Sequence, residues 1–366
     1  MTTRSILARG VVGLALAVYA GIVVSCQLQG GDQATSGPGR RGGPHVKLEG
    51  VPFRGVAMQI QRTDWIDRYK KSIDEIVELG ADTFLCIVDA RQENGSSARI
   101  YLDMRMTPTP EQLSEILKYA KEKKLRVILM PIVLLDSPRG DEWRGKINPG
   151  DGASWAEWFE SYRAMATHYA WVAQLAGVDI FVVGSELVST ESKAEEWAQT
   201  IKAIRTNFKG LLTYSSNWDH YGNIPFWDDL DVIGMNSYWK LGEDRNVKVE
   251  EIVKNWQEIQ KELREFTQKK NKPLLFTEVG WCSLENAASE PWDYTRTDKA
   301  ADADLQKRLW DGFFRAWHGD PMLAGFTIWA WSPNDGGPDA EKDYSLKGKP
   351  AYALVKKWLV KPWNEK

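Results

Sequence analysis

Along this chain the apolar positions follow two alternating periods. Short unbroken apolar runs, of a length that suits strands buried on both faces, occur at residues 51–59, 82–89, 126–135, 178–187, 211–218, 231–239, 273–281 and 324–331. Between most of them lie longer stretches in which apolar residues return every three or four positions, the pattern of helices packed on one side. Asp64 is the expected N-cap of the first, whose Ile66, Tyr69, Ile73, Ile76 and Val77 share a face and whose end is marked by Gly80. Thr109-Pro110-Glu111 opens the second, which runs to Lys124. Further helices are expected at 154–175, 193–207, 249–267, 299–317 and 350–359.

Strands separated by helices imply parallel pairing, and eight such units predict an α/β fold, a (β/α)8 TIM barrel forming a single catalytic domain over residues 50–362. A doubly wound open sheet is the alternative. It would bring a glycine-rich phosphate turn after its first strand, and Gly55 alone is no such turn.

Composition narrows the function classes. The chain has 366 residues, 43% hydrophobic and 27% charged, which is ordinary globular material. A formal net charge of -3 lacks the basic footprint that nucleic acid requires, so no nucleic-acid partner is expected. Tryptophan is abundant, at 18 residues, and flat indole faces serve both cores and the stacking of sugar rings. Trp155, Trp158, Trp171, Trp197 and Trp256 fall on helical stretches and are assigned to packing.

The N-terminus has the layout of a targeting segment. Arg4 and Arg9 form a positive region, and residues 11–24 an apolar core too short for a comfortable membrane span. Val23-Val24-Ser25-Cys26 resembles a bacterial lipobox, in which the cysteine is lipidated and becomes the new N-terminus. Residues 1–25 are then a lipoprotein-type signal peptide, Cys26 the lipidation site, and 26–49 a flexible polar tether to the membrane of the cell envelope. Ordinary cleavage with secretion, or a retained anchor, are the alternatives. Cys86 and Cys282 have no CxxC spacing and no clustered histidines, so no metal site is expected, and nothing in their spacing indicates a disulfide. No cofactor is expected, and the molecule is expected to be a monomer.

Candidate chemistry lies at two strand ends. Glu278 closes the run PLLFTEVGW with Trp281 behind it, and Glu186 closes VDIFVVGSEL. In a (β/α)8 barrel the active site lies at the C-terminal strand ends, and strands four and seven stand on roughly opposite sides of the ring. Two carboxylates facing each other there are the minimal machinery of glycoside hydrolysis, one to protonate the leaving oxygen and one to attack or stabilise the oxocarbenium-like centre. The alternative is that each glutamate ion-pairs with a loop Arg or Lys. A loop as long as 136–152, containing Trp143-Arg144-Gly145, tends to be functional in a compact domain.

The stretches WRGKI (143–147), GVDIFVVGSEL (177–187), LLTYSSNW (211–218), FWDDLDVIGMNSYWKL (226–241) and TEVGW (277–281), in this order and spacing, resemble glycoside hydrolase family 113. That family belongs to the clan of retaining β-glycosidases on (β/α)8 barrels and acts chiefly on β-1,4-mannan. The resemblance implies Glu186 as acid/base and Glu278 as nucleophile. It implies that Tyr238 holds the nucleophile and that Asn217 and Trp218 line the site. Trp329 and Trp331, one strand period apart, are candidates for the platform under the reacting sugar, with barrel-interior packing as the plainer role. Trp143 and Trp281 complete the aromatic candidates. The implied substrate is a β-linked polysaccharide or oligosaccharide, the implied enzyme an endo-β-1,4-mannanase-like hydrolase.

The chain departs from the family pattern at several points. Ser185 stands where the clan has Asn. Met130 and Ile132 flank Pro131 where the family has Lys and His, and Asn236 stands where Asp is expected. These positions concern substrate binding more than bond breaking, so they bear on which sugar is recognised. Arg91 and Gln92, at the end of strand two, are candidates to supply replacement sugar contacts. One rival is a non-catalytic carbohydrate-binding lipoprotein on a decayed barrel. Another, a barrel hydrolase or aldolase using metal or lysine, lacks the ligand set and a strand-end lysine.

Overall fold

The computed structural model describes residues 52–296, 298–334 and 340–365. The expected signal peptide, Cys26 and the tether lie outside the described residues. Eight strands, β1 (Phe53–Ile60), β2 (Thr83–Gln92), β3 (Arg126–Leu135), β4 (Ile180–Ser185), β5 (Leu211–Ser216), β6 (Ile233–Asn236), β7 (Leu274–Val279) and β8 (Leu323–Ile328), form a closed barrel in chain order. All neighbours are parallel, and the ring closes where Phe53 pairs with Gly325.

The helices are α1 (Ile66–Leu79), α2 (Pro110–Glu122), α3 (Gly152–Ala176), α4 (Ala194–Asn207), α5 (Val249–Lys270), α6 (Ala303–Trp317) and α7 (Ala351–Val360). Between β5 and β6 the described chain makes only two short 3-10 turns, Tyr221–Asn223 and Trp227–Asp229. α2 starts as its sequence predicts, with the Thr109 hydroxyl and the Gln112 side chain satisfying each other's backbone N–H groups. Asp64 does not cap α1; Trp65 holds that position, and the Asp64 carboxylate is taken by Arg62 at 2.9 Å. α6 begins later than its pattern suggests because Asp302 accepts from Leu305 N and fixes the start there.

Two apolar layers hold the barrel. Ala57, Leu85, Ile128, Met130, Val182 and Leu275 belong to the lumen cluster, while Val56, Cys86, Leu129, Phe181, Val183 and Phe276 belong to the layer between sheet and helices. Trp158, Trp197 and Trp256 are fully buried in that outer layer and Trp155 packs against it. Trp171, assigned to packing, is instead 48% exposed on the outer face of α3. Cys86 and Cys282 are both buried and unpaired.

The period-two alternation fails in one informative place. Leu275 faces the lumen and Phe276 the outer layer, so strict alternation would turn Glu278 outward beside Phe276. Across β7 and β8, however, Phe276 pairs with Phe326 and Val279 with Ile328, so β7 carries an extra residue. The same extra residue appears against β6, where Met235 pairs with Phe276 and Asn236 with Glu278. A bulge of this kind re-aims the side chains that follow it. β4 carries another, with Val182 against Thr213 and Ser185 against Ser215, just before Glu186.

Candidate active site

Glu278 is 3% exposed and sits on the bulge of β7. Its Oε2 accepts a hydrogen bond from the Tyr238 hydroxyl at 2.9 Å. Its Oε1 is buried with no hydrogen-bond partner among the described residues. Gly280, two residues on, is required by close approach: a Cβ there would stand 2.3 Å from the Trp329 carbonyl oxygen. Beneath Glu278 the lumen turns polar, with the Ser215 and Thr277 hydroxyls 2.6 Å apart.

Glu186 follows β4 with a left-handed backbone, φ 54°, which a non-glycine residue adopts only where its surroundings enforce it. Both of its carboxylate oxygens are occupied. Asn236 donates from Nδ2 to Oε1 at 2.6 Å, and Arg144 donates from an Nη to Oε2 at 2.5 Å. Asn236 is itself fixed, since its Oδ1 accepts from the Trp218 backbone N–H at 2.8 Å. Sequence reasoning missed both donors as direct contacts. Arg144 was visible only as the middle residue of Trp143-Arg144-Gly145, and Asn236 only as a departure from the family pattern.

Burial pushes the Glu278 carboxyl well above the ordinary carboxylate range and the charge of Glu186 pushes it further, while Arg144 and the Tyr238 hydrogen bond pull it down. Burial opposes the charge of Arg144, but the two nearby glutamates more than restore it, so the guanidinium stays charged. Two donors serve Glu186 and one serves Glu278.

Of the other predicted residues, some are brought to this site. Trp329 packs over the lumen cluster at the end of β8. Asn217, half-buried beyond β5, has its Oδ1 buried without a partner among the described residues. The Trp218 ring stacks on Trp292 at 6.1 Å, and Trp292 is 47% exposed at the rim. Ser185 Oγ is buried and unbonded directly before Glu186. Met130 and Ile132 are buried in the lumen cluster, so the strand-three departures do remove polar groups from the barrel interior.

Others belong elsewhere. Trp281 is fully buried in the outer layer, edge-on to Trp310 at 5.0 Å, and does not reach the carboxylates. Trp331 is likewise in the outer layer, its Nε1–H donating to Glu75 of α1 at 2.9 Å with Lys347 over its ring. It does not share a face with Trp329, because β8 ends at Ile328 and strand alternation no longer applies beyond it. Arg91 is held by Asp89 at 2.6 Å and by Asp136 at 2.7 Å, which commits its guanidinium to structural ion pairs. Gln92 is fully buried, accepting from the Trp158 indole at 2.9 Å. Trp143 folds its ring over Gly145, where a Cβ would lie 2.3 Å from it, and Arg144 is the residue of that loop that enters the site.

A closed parallel barrel whose strand-four and strand-seven ends carry two glutamates, Glu278 buried and Glu186 half-buried, with Arg144 beside both, has the framework of a barrel glycosidase. The profile of Glycoside Hydrolase Family 113 matches residues 56–349, and the chain belongs to that family; it is a glycoside hydrolase. It is 28% identical to the GH113 β-mannanase AaManA from Alicyclobacillus acidocaldarius, solved in complex with ManMIm, over 85% of this chain and 98% of that one, with a TM-score of 0.75. It is 26% identical to a second structure described as a GH113 β-1,4-mannanase, over 84% of this chain and 99% of that one, with a TM-score of 0.76. A β-glucuronidase from Ruminococcus gnavus, at 15% identity and a TM-score of 0.54 over 84% of this chain and 50% of that one, shares the fold alone. No match was found among curated protein sequences.

Proposed function

We propose that the protein is a retaining β-glycoside hydrolase of endo-β-1,4-mannanase type, with Glu278 as nucleophile and Glu186 as acid/base. The observation that carries this reading is the unbonded, buried Oε1 of Glu278, beside a second carboxylate whose own two oxygens are both engaged. The mannan assignment rests on the family and on the two mannanase structures.

In the first step Glu278 Oε1 forms a bond to the anomeric carbon as the bond to the leaving oxygen breaks, and Glu186 gives its proton to that oxygen. In the second, Glu186 takes a proton from water, the water oxygen attacks the same carbon, and Glu278 is released. Two displacements return the original β configuration.

This sequence needs Glu278 ionised, which burial and the charge of Glu186 oppose and Arg144 favours. The leaving oxygen must reach a Glu186 oxygen, and Asn236 is tied to Trp218 N, so the contact that gives way is the one from Arg144 to Oε2. Freed from Glu186, the guanidinium remains beside Glu278 and favours its charged form.

The reading extends to place: the protein acts outside the cytoplasm, tethered through a lipidated Cys26, on the strength of the targeting pattern in residues 1–26. Lipid labelling lost in Cys26→Ala tests that part. The activity is tested by incubating β-mannans, glucomannans and β-glucans with the wild type and with Glu278→Ala. Release of reducing ends by the wild type and not by the variant supports the reading; equal rates remove Glu278 as nucleophile.

A further inference from the structure

The unusual backbone of Glu186 is held from behind the barrel wall. Its own N–H donates to the Ser215 carbonyl at 2.9 Å, an ordinary strand contact. The next N–H, that of Leu187, has no strand partner and donates instead to the Tyr214 hydroxyl at 2.9 Å. Tyr214 lies on β5 but faces the outer layer, fully buried, and its ring lies against Gly184, where a Cβ would come within 2.9 Å of it. The Tyr214 hydroxyl in turn donates to Glu191 Oε1 at 2.9 Å. Glu191 is 4% exposed and closes the 3-10 turn Val188–Thr190 that follows Glu186. That turn is pinned again where the Trp197 indole donates to the Thr190 carbonyl at 3.1 Å.

A buried glutamate needs a reason, since burial disfavours its charge and a glutamine would accept the same hydrogen bond. The groups that face Glu191 are few. They are Tyr214, the His220 ring at 3.8 Å from Oε2, the Asp219 carboxylate and the Glu186 carboxylate. Burial pushes Glu191 up to about 7, with Asp219 and Glu186 adding to it and the Tyr214 hydrogen bond opposing.

We propose that Tyr214 and Glu191 are positioning residues for the acid/base, fixing the Glu186–Leu187 backbone from the outer layer through the chain of hydrogen bonds from Leu187 N–H to the Tyr214 hydroxyl and from there to Glu191. Neither residue touches substrate. The inference rests on the reading of Glu186 as acid/base. The left-handed turn aims the carboxylate at Asn236 and Arg144, and the Tyr214 hydroxyl makes that turn affordable by satisfying the N–H that the turn strips from the sheet.

Three variants test the chain. Tyr214→Phe removes the acceptor for Leu187 N and lowers kcat by about tenfold, the worth of one buried hydrogen bond, with KM little changed. Glu191→Ala leaves the Tyr214 hydroxyl without its acceptor and lowers kcat by a similar factor, again with KM little changed. Glu191→Gln keeps an acceptor for Tyr214 and restores kcat to within about twofold of wild type. Wild-type kcat in both Tyr214→Phe and Glu191→Ala overturns the proposal. If the wild type hydrolyses none of the glycans, the activity reading fails, and a double-mutant cycle of Tyr214→Phe with Glu191→Ala, read by thermal unfolding, decides this inference separately. Non-additive effects support it; additivity overturns it.

Discussion

Asn236 holds Glu186 through a single 2.6 Å hydrogen bond, Nδ2 to Oε1, while its own Oδ1 is locked by the Trp218 backbone. The amide can therefore donate to Glu186 in one orientation only. Asn236→Asp keeps the acceptor for Trp218 but puts a carboxylate oxygen against Glu186, and two oxygens that close must share a proton. The alkaline limb of kcat/KM should move to higher pH by about one unit or more. Asn236→Ala should lower kcat by about tenfold without that shift. Initial rates across pH on the best glycan of the panel check both.

Arg144 balances the two carboxylates, and its removal leaves them unpaired in a dry site. Arg144→Gln should lower kcat/KM by roughly 10- to 100-fold, the usual worth of one charged hydrogen bond. Because Arg144 pulls Glu278 down, its loss moves the acid limb to higher pH. A variant that lost activity without moving the limb would show Arg144 binding sugar without setting charge.

Glu278 also leaves a mark on stability. Its folded-state carboxyl lies above the ordinary unfolded value, so the folded protein binds a proton more tightly than the unfolded chain. Its stabilising contribution is fully present below the unfolded carboxylate pKa and is lost as pH rises through the folded one. Glu278→Gln should therefore melt at nearly the wild-type temperature near pH 4, and above it at pH 8. Differential scanning fluorimetry across that window gives the sign directly.

The two tryptophans after β8 should separate cleanly. Trp329→Ala, at the lumen, should cut kcat/KM by up to about tenfold, since a stacking face is worth about 0.5–1.5 kcal/mol. Trp331→Phe removes the indole hydrogen bond to Glu75 and should cost about 1 kcal/mol of stability with kcat and KM unchanged. Equal effects of both on turnover would contradict the assignment of Trp331 to the outer layer.

The barrel was legible because buried parallel strands are written as continuous apolar runs, and β3 keeps the bounds its run predicts, Arg126–Leu135. Glu186 and Glu278 were legible because a charge closing such a run stands out. Their orientation was not. Alternation would turn Glu278 away from the lumen, and the bulge that turns it back is a property of the pairing with β6 and β8. Trp281 and Trp331 were misplaced for a related reason: the strands end at Val279 and Ile328, and period two says nothing past those points. Arg144 lies on a loop with no period at all, and only the fold reveals which residue of Trp143-Arg144-Gly145 turns inward. Nothing local in LLTYSSNW distinguishes a buried tyrosine that fills space from one, like Tyr214, whose hydroxyl holds a turn.

A double displacement by two glutamates on a β-glycoside leaves its stereochemistry in the product. Proton NMR of the sugar first released from a hydrolysed β-1,4-linked oligosaccharide, read before mutarotation, reports it. Double displacement gives the β-anomer first, with the α-anomer growing in afterwards. The α-anomer appearing first would contradict it.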